Sequence, residues 1–444
     1  MSLLLKSSLY ILLGLFAFQP SVAQKRAKKE RPKYAEVPSS DLVYDDVNYI
    51  PEIKTVAFYN AKREGSFPII NLTGGEELLL GFDDLRGGSR NLSYSVVHCN
   101  SDWTPSSISS IEYLESFSED RITDYRFSYN TYQKYTHYQL RLPNFAVRPK
   151  LSGNYLLKVF EDGDPNKLLI SRRFYILQQK VGLQAEVAPS PSVAHRDSNQ
   201  KINFTVAHPA LNIQNAYQEI KAVVLQNAQQ ASAKTTNRPL FIRNAQLVYS
   251  DNSSNDFAGG NEFHRFDTRS FRYKSDGVYA IQLDSIYQVA LFADEDRNRQ
   301  TYAHQFDENG SFFTINQDGS DARYDGDYAN VSFVLKAEKP NDEGFAYVVG
   351  KFNGYQKNAA NRMVYDENSK TFILNSLVKQ GVVDYRYVWA DEKGNILDTS
   401  AFEGSYYQTE NDYQILIYYR APGARYDQLI AFTQLNSVKA PRNF

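Results

Sequence analysis

Short tracts of alternating Tyr, Val, Ile, Phe and Leu recur along the chain between clusters of Gly, Asn, Asp and Pro. Examples are LSYSVVHC (Leu92–Cys99), KYTHYQLRLPN (Lys134–Asn144) and ANVSFVLK (Ala329–Lys336). A side-chain period of two buries one face of a strand and cannot bury the stripe of a helix, so the pattern predicts an all-β chain. At 444 residues there is enough chain for about three domains, each with its own core. Turn-rich breaks divide it into a first β-sandwich over 49–178, a second over 179–320 and a third over 321–444. EDGDPNK (Glu161–Lys167) reads as a hairpin turn, and Val331, Phe333 and Leu335 are expected to share a buried face. Helical spacing competes in one place, SSISSIEYLESFSEDRITDY (Ser106–Tyr125). Ile108, Ile111 and Leu114 recur there at intervals of three, which predicts an irregular, partly helical excursion.

The N-terminal stretch constrains the compartment. Lys6 precedes the apolar run Leu9–Phe18, and the small residues Ser21–Ala23 follow, which predicts a signal peptide over 1–23 cleaved after Ala23. No later segment has the roughly 20 apolar residues of a spanning helix, and no cysteine near the cleavage site offers a thiol for lipid. The mature protein is therefore expected to be exported, without stable membrane insertion. Residues 24–48 read as a basic flexible tether, with KRAKKERPK (Lys25–Lys33) either solvated or touching an anionic surface. With 1 cysteine no internal disulfide can form, so the cores alone must hold the fold. The 49 basic and 51 acidic residues leave no field of the kind that gathers nucleic acid.

Chemistry is sparse. The 6 histidines, at 98, 137, 195, 208, 264 and 304, show no i, i+4 pair and no second cysteine to join them in a zinc site. DEDRNRQTYAHQ (Asp294–Gln305) places Asp294, Asp296 and Asn298 like the start of a calcium loop, but Arg299 and Gln305 replace the glycine and the bidentate glutamate. It is expected to be a turn with solvated charges. Neither a nucleophile elbow nor a phosphate-cradling glycine loop is present. These readings predict no catalytic residue, no cofactor and no metal. HCNSDW (His98–Trp103) stays open among a catalytic site, a metal site and a packed corner, although His98 and Cys99 point to opposite faces of a strand.

Two resemblances sharpen the picture. The stretch Phe345–Val388, with GKFNGY at Gly350–Tyr355, resembles the glycogen-binding-type module of the E-set immunoglobulin-like family. Tyr355 stands where that family carries a tryptophan platform, so α-glucan binding is not expected and a packing or docking module is. The fold class is thus tandem immunoglobulin-like/E-set β-sandwiches. Ser93–Asn144, followed by SGNYLLKVF (Ser152–Phe160), resembles the first domain of the type IX secretion system plug protein, and GGNEFHRFDTRSFRY (Gly259–Tyr273) suits the same family. That resemblance implies a non-enzymatic periplasmic protein, monomeric when unbound, which docks on the periplasmic side of the outer-membrane translocon barrel and seals its pore. The alternative is a carbohydrate-binding periplasmic or surface protein. Within the plug reading, His98, Cys99, Asp102 and Trp103 form a structural corner in which Cys99 is buried and inert. Tyr113, Tyr132, Phe263, Phe266 and Tyr355 become candidate contacts to the barrel.

Overall fold

The computed structural model describes residues 37–438. The expected signal peptide and most of the expected tether, KRAKKERPK included, lie outside the described residues. The rest is all-β, built from six sheets that pair into three sandwiches.

In the first sandwich, one sheet runs in the order Val47–Asn48, Leu168–Leu177, Gly153–Glu161, Leu92–Cys99, Glu119–Arg121, and Ile69–Asn71 adds in parallel to Leu168–Leu177. It faces a second sheet of Ile53–Asn60, Leu78–Asp84, Thr136–Leu142 and Asp124–Phe127. Leu78, Leu80 and Phe82 alternate inward from one sheet and meet Tyr94, Tyr155, Leu157 and Phe174 from the other. The hairpin Gly153–Glu161 and Leu168–Leu177 turns over Asp162–Lys167 as expected.

The helical excursion shrinks to one turn, Ser110–Tyr113. Ile111, which set the helical spacing, is 81% exposed, while Tyr113 and Leu114 are buried. One turn cannot carry a stripe, and the chain re-enters as the edge strands Glu119–Arg121 and Asp124–Phe127.

The second sandwich pairs Gly182–Pro189, Asn199–Ala207, Gln246–Tyr249 and Phe241–Arg243 in one sheet. Its other sheet is Gln229–Thr236, Ile220–Gln226, Asp412–Tyr419 and Gln428–Asn436. The last two of these strands come from the C-terminal end of the chain. Between Ala258 and Asp412 the chain leaves, builds the third sandwich from His264–Asp267 to Ile396–Asp398, and returns. Sheet pairing therefore departs from a division at 321: the third sandwich is an insertion into the second, and GGNEFHRFDTRSFRY carries the chain across and supplies the strand His264–Asp267 of the third. The reason lies in Asp412–Tyr419. Tyr413, Ile415 and Ile417 fill the second core, while Leu416 and Tyr418 fill a cluster shared with the first sandwich. A strand apolar on both faces belongs in the middle of a buried sheet, and it finds that place 186 residues back along the chain, where Ala228 N–H donates to Gln414 Oε1 at 2.8 Å. The crossing is tight: a Cβ on Gly259 would collide with the Tyr406 carbonyl oxygen.

In the third sandwich Val331, Phe333 and Leu335 are buried on one face, as expected, and Trp389 is core. Each sandwich touches the other two, and those contacts are where the sequence motifs lie.

Candidate functional site

HCNSDW is a corner, and the joint to the second sandwich is built on it. Asn100 N–H donates to the Thr104 carbonyl at 2.8 Å and Asp102 Oδ1 accepts from Thr104 N–H at 3.1 Å, closing a tight turn. Trp103 takes a left-handed φ of 68° to complete it, a conformation rare for a bulky residue. Its indole stands edge-on to Tyr175, with ring centroids 5.4 Å apart, under the Arg173 guanidinium at 4.5 Å. Cys99, Trp103, Leu156 and Tyr175 from the first sandwich share one apolar cluster with Val223, Leu225, Leu416 and Tyr418 from the second. A buried carboxylate pins this cluster. Asp427 Oδ2 accepts from Ser101 N–H at 2.9 Å and Oγ–H at 2.7 Å, and Oδ1 accepts from Arg420 Nε at 2.6 Å. Tyr418 O–H donates to Asn154 Oδ1 at 2.7 Å across the same joint.

His98 turns the other way. Its Nδ1 lies 2.9 Å from Ser106 Oγ and its ring is edge-on to Tyr155 and Tyr426. Burial pushes its pKa down to about 4, so the ring is neutral. Gly153 has no side chain because a Cβ there would lie 2.5 Å from His98 Nε2.

Cys99 is fully buried, and burial pushes its thiol up to about 12 although Arg173 pulls the other way. Desolvation outweighs the Arg173 charge. Alkylation of the native protein is expected to be slow at pH 8, with full labelling only in denaturant. Rapid native labelling, followed by mass spectrometry, is the contrary result.

The second motif, DYRFSYNTYQKYTH (Asp124–His137), is the joint to the third sandwich. Tyr129 N–H donates to the Tyr324 carbonyl at 3.0 Å, and the Tyr132 and Gln133 N–H groups donate to the two oxygens of Asp327 at 2.6 and 3.1 Å. Beneath them lies a buried ionic cluster. Asp83, with no exposed surface, meets Lys379 Nζ at 2.7 Å, His137 Nδ1 at 2.6 Å and Tyr328 O–H at 2.7 Å. The Lys379 ammonium also sits 4.1 Å over the Tyr135 ring. Burial would raise the Asp83 carboxyl, but Lys379 and His137 outweigh it and hold it below the usual carboxylate range. The second and third sandwiches meet through Arg386, which donates to Gln229 Oε1 at 2.9 Å and lies over Phe263.

Of the expected barrel contacts, only Tyr132 is exposed, at 52%, and it rests edge-on against Tyr287. Tyr113, Phe263 and Phe266 are buried, each drawn inward because it fills a core or a joint, so they offer nothing to a partner. Tyr355 is half-buried in a left-handed turn beside Gly354 and presents no flat platform.

Sequence reading missed one cluster. His264 Nδ1 lies 2.9 Å from Asp294 Oδ1, and Nε2 lies 3.3 Å from Glu403 Oε2. Tyr385 and Tyr387 hydroxyls donate to Asp294 Oδ2 at 2.7 and 2.6 Å, and Arg297 Nε donates to Glu403 at 3.0 Å. Asp294 is therefore an internal ion-pair partner, not the solvated turn residue expected, because the fold returns the hydroxyls of a distant strand to it. The arrangement has the parts of a catalytic triad but the wrong electrostatics. Burial lowers the His264 pKa, yet Glu403 and Asp294 outweigh it and raise it to about 9, so the ring is a cation at neutral pH and not a base. Among the described residues no group of three metal-ligating side chains could hold an ion.

His264 also makes a pH prediction. Its folded pKa lies above the unfolded value of about 6.5, so its contribution is fully present below that pH and is lost as pH rises through about 9. Denaturant titrations from pH 6 to 9.5 are expected to show a decline of roughly 2–3 kcal/mol, and His264→Asn should flatten it. An unchanged slope in the variant would assign the decline elsewhere.

Residues 53–178 match the family model described as the type 9 secretion system plug protein 1st domain. Among solved structures, a hypothetical protein from Parabacteroides merdae ATCC 43184, determined by crystallography at 2.30 Å resolution, is similar at 32% identity with a TM-score of 0.85. That match covers 89% of this chain and 100% of the other. No curated protein matches the chain.

Proposed function

We propose, because the chain belongs to the type IX secretion system plug protein family, that it is the folded stopper of the secretion channel, docking on the periplasmic side of the outer-membrane translocon barrel. Participation in type IX secretion and association with its envelope machinery follow from the family. The sealing role, the barrel as partner, the periplasmic location and a monomeric unbound state are this reading's own. Among the described residues no helix is long and apolar enough to cross a membrane.

The observation that carries the proposal is the joining of three sandwiches at every pairwise contact. Ser101–Asp427, Asp83–Lys379 and Gln229–Arg386 tie first to second, first to third and second to third. A stopper must not be extruded or bent by the load behind it. Tandem domains on open linkers move by default, whereas a closed set of three joints removes the hinge. The reading is non-catalytic as well: the carboxylates of the His264 cluster hold its buried ring as a cation rather than a base.

Deleting the gene is expected to make the outer membrane permeable to large antibiotics and dyes, since a pore wide enough for folded cargo does not exclude small solutes. Wild-type protein restores the barrier. Unchanged permeability in a deletion strain whose channel is shown to be unoccupied would overturn the proposal.

A further inference from the structure

The three sandwiches enclose a cleft of about 210 Å³ where they meet, lined by residues of all three. We propose that this cleft binds a single saccharide ring, free or at the end of a glycan. The inference is independent of the sealing role, and either can fail alone.

The cleft combines three features. Phe306, 64% exposed, and the half-buried Phe313 supply aromatic surface. Hydrogen-bonding capacity is left over at its wall. Gln414 spends its Oε1 on the Ala228 N–H at 2.8 Å, so its amide Nε2 remains a donor. Lys351 gives one N–H to Ser311 Oγ at 2.9 Å and has others to offer. Asn309 is 8% exposed, lines the cleft, and its Oδ1 has no hydrogen-bond partner. A buried carboxamide oxygen without a partner costs about 1–3 kcal/mol, which a ligand would offset. Charges of both signs also line the wall, the cations Arg63 and Lys351 among five carboxylates that include Glu308 and Asp412.

A lone anion would meet those carboxylates, and a lone organic cation would meet Lys351 and Arg63. A hydroxylated ring suits both, because each hydroxyl donates and accepts at once and the C–H face of the ring lies against an aromatic surface. The site is distinct in composition from the Tyr355 position, which the resembled glucan module would use.

The test uses the full mature chain in saturation-transfer NMR with D-mannose, D-galactose, N-acetyl-D-glucosamine and D-glucuronate, and with agmatine and inorganic phosphate as single-sign controls. At least one sugar is expected to bind saturably with Kd of about 1 mM. The double variant Phe306→Ala/Gln434→Ala, at two positions that line the cleft outside the cores, should weaken it about tenfold at unchanged Tm. Absence of saturable binding by all four sugars overturns the inference. So does binding that the double variant leaves intact, or stronger binding of agmatine or phosphate than of every sugar.

Discussion

Lys379→Met is expected to destabilise the protein by about 3–5 kcal/mol, among the largest losses any single substitution here should give. Asp83 has no exposed surface, and Lys379 supplies a permanent positive charge at 2.7 Å. Methionine fills the alkyl volume, so the loss reports the stranded carboxylate rather than a cavity. His137 and the Tyr328 hydroxyl remain as its hydrogen-bond partners. The double variant Asp83→Asn/Lys379→Met removes both charges and should recover most of the loss. The sign with pH is fixed too. The Asp83 carboxyl is depressed in the fold, so its contribution is present above the unfolded carboxylate pKa and is lost as pH falls through the folded value. In the single variant a proton takes the place of the missing cation, so its deficit should shrink on acidification. Hydrogen exchange locates the damage: the amides of Tyr129, Tyr132 and Gln133, which bond across the joint, should lose protection before the core strands do. A loss under about 1 kcal/mol would mean that water reaches Asp83.

What the sequence disclosed, and what it hid, divides by distance along the chain. Alternation placed Leu92–Cys99, Thr136–Leu142 and Tyr328–Lys336 in strands because the period-two signal is local. The corner at His98–Trp103 stays open on the residues alone and is singled out only by the family resemblance, although the turn that Asp102 caps is itself a local feature. What that corner does was hidden, because Ser101 meets Asp427 across 326 residues and Lys379 meets Asp83 across 296. The insertion was hidden likewise. The run YQILIYY (Tyr413–Tyr419) is apolar on both faces, which announces a central strand but not which sheet it completes. Ile111 misled because three-residue spacing in a serine-rich segment fits a helix and a capped single turn equally well. For the candidate contacts the error had one cause: aromatic side chains mark interfaces, but in this chain most of those interfaces are internal. Tyr113 and Phe263 were recognised as contact-forming and assigned to the wrong partner.

Asp427→Ala tests whether that internal jointing is what sealing requires. Asp427 is 1% exposed and takes hydrogen bonds from the Ser101 N–H and hydroxyl and from Arg420. Burial would raise its carboxyl, but these partners and Lys221 hold it below the ordinary range. Alanine leaves the buried Ser101 N–H without an acceptor and two cations without their counter-ion, at a cost of about 3–5 kcal/mol. Arg420 and Lys221 are each about one-third exposed and can turn to water, so Asp427→Asn, which keeps an acceptor for Ser101, should cost less. The loss falls on the joint, since Asp427 ties Ser101 of the first sandwich to Arg420 of the second. The alanine variant should therefore keep the β-sheet signal in circular dichroism while small-angle scattering shows a wider distribution of shapes. Introduced into the deletion strain, it should restore the permeability barrier poorly despite normal abundance, because a stopper that flexes between its first two sandwiches no longer fills the pore as one body. Full restoration by a variant proven flexible in scattering would separate sealing from rigidity and leave docking through surface loops as the basis of the plug.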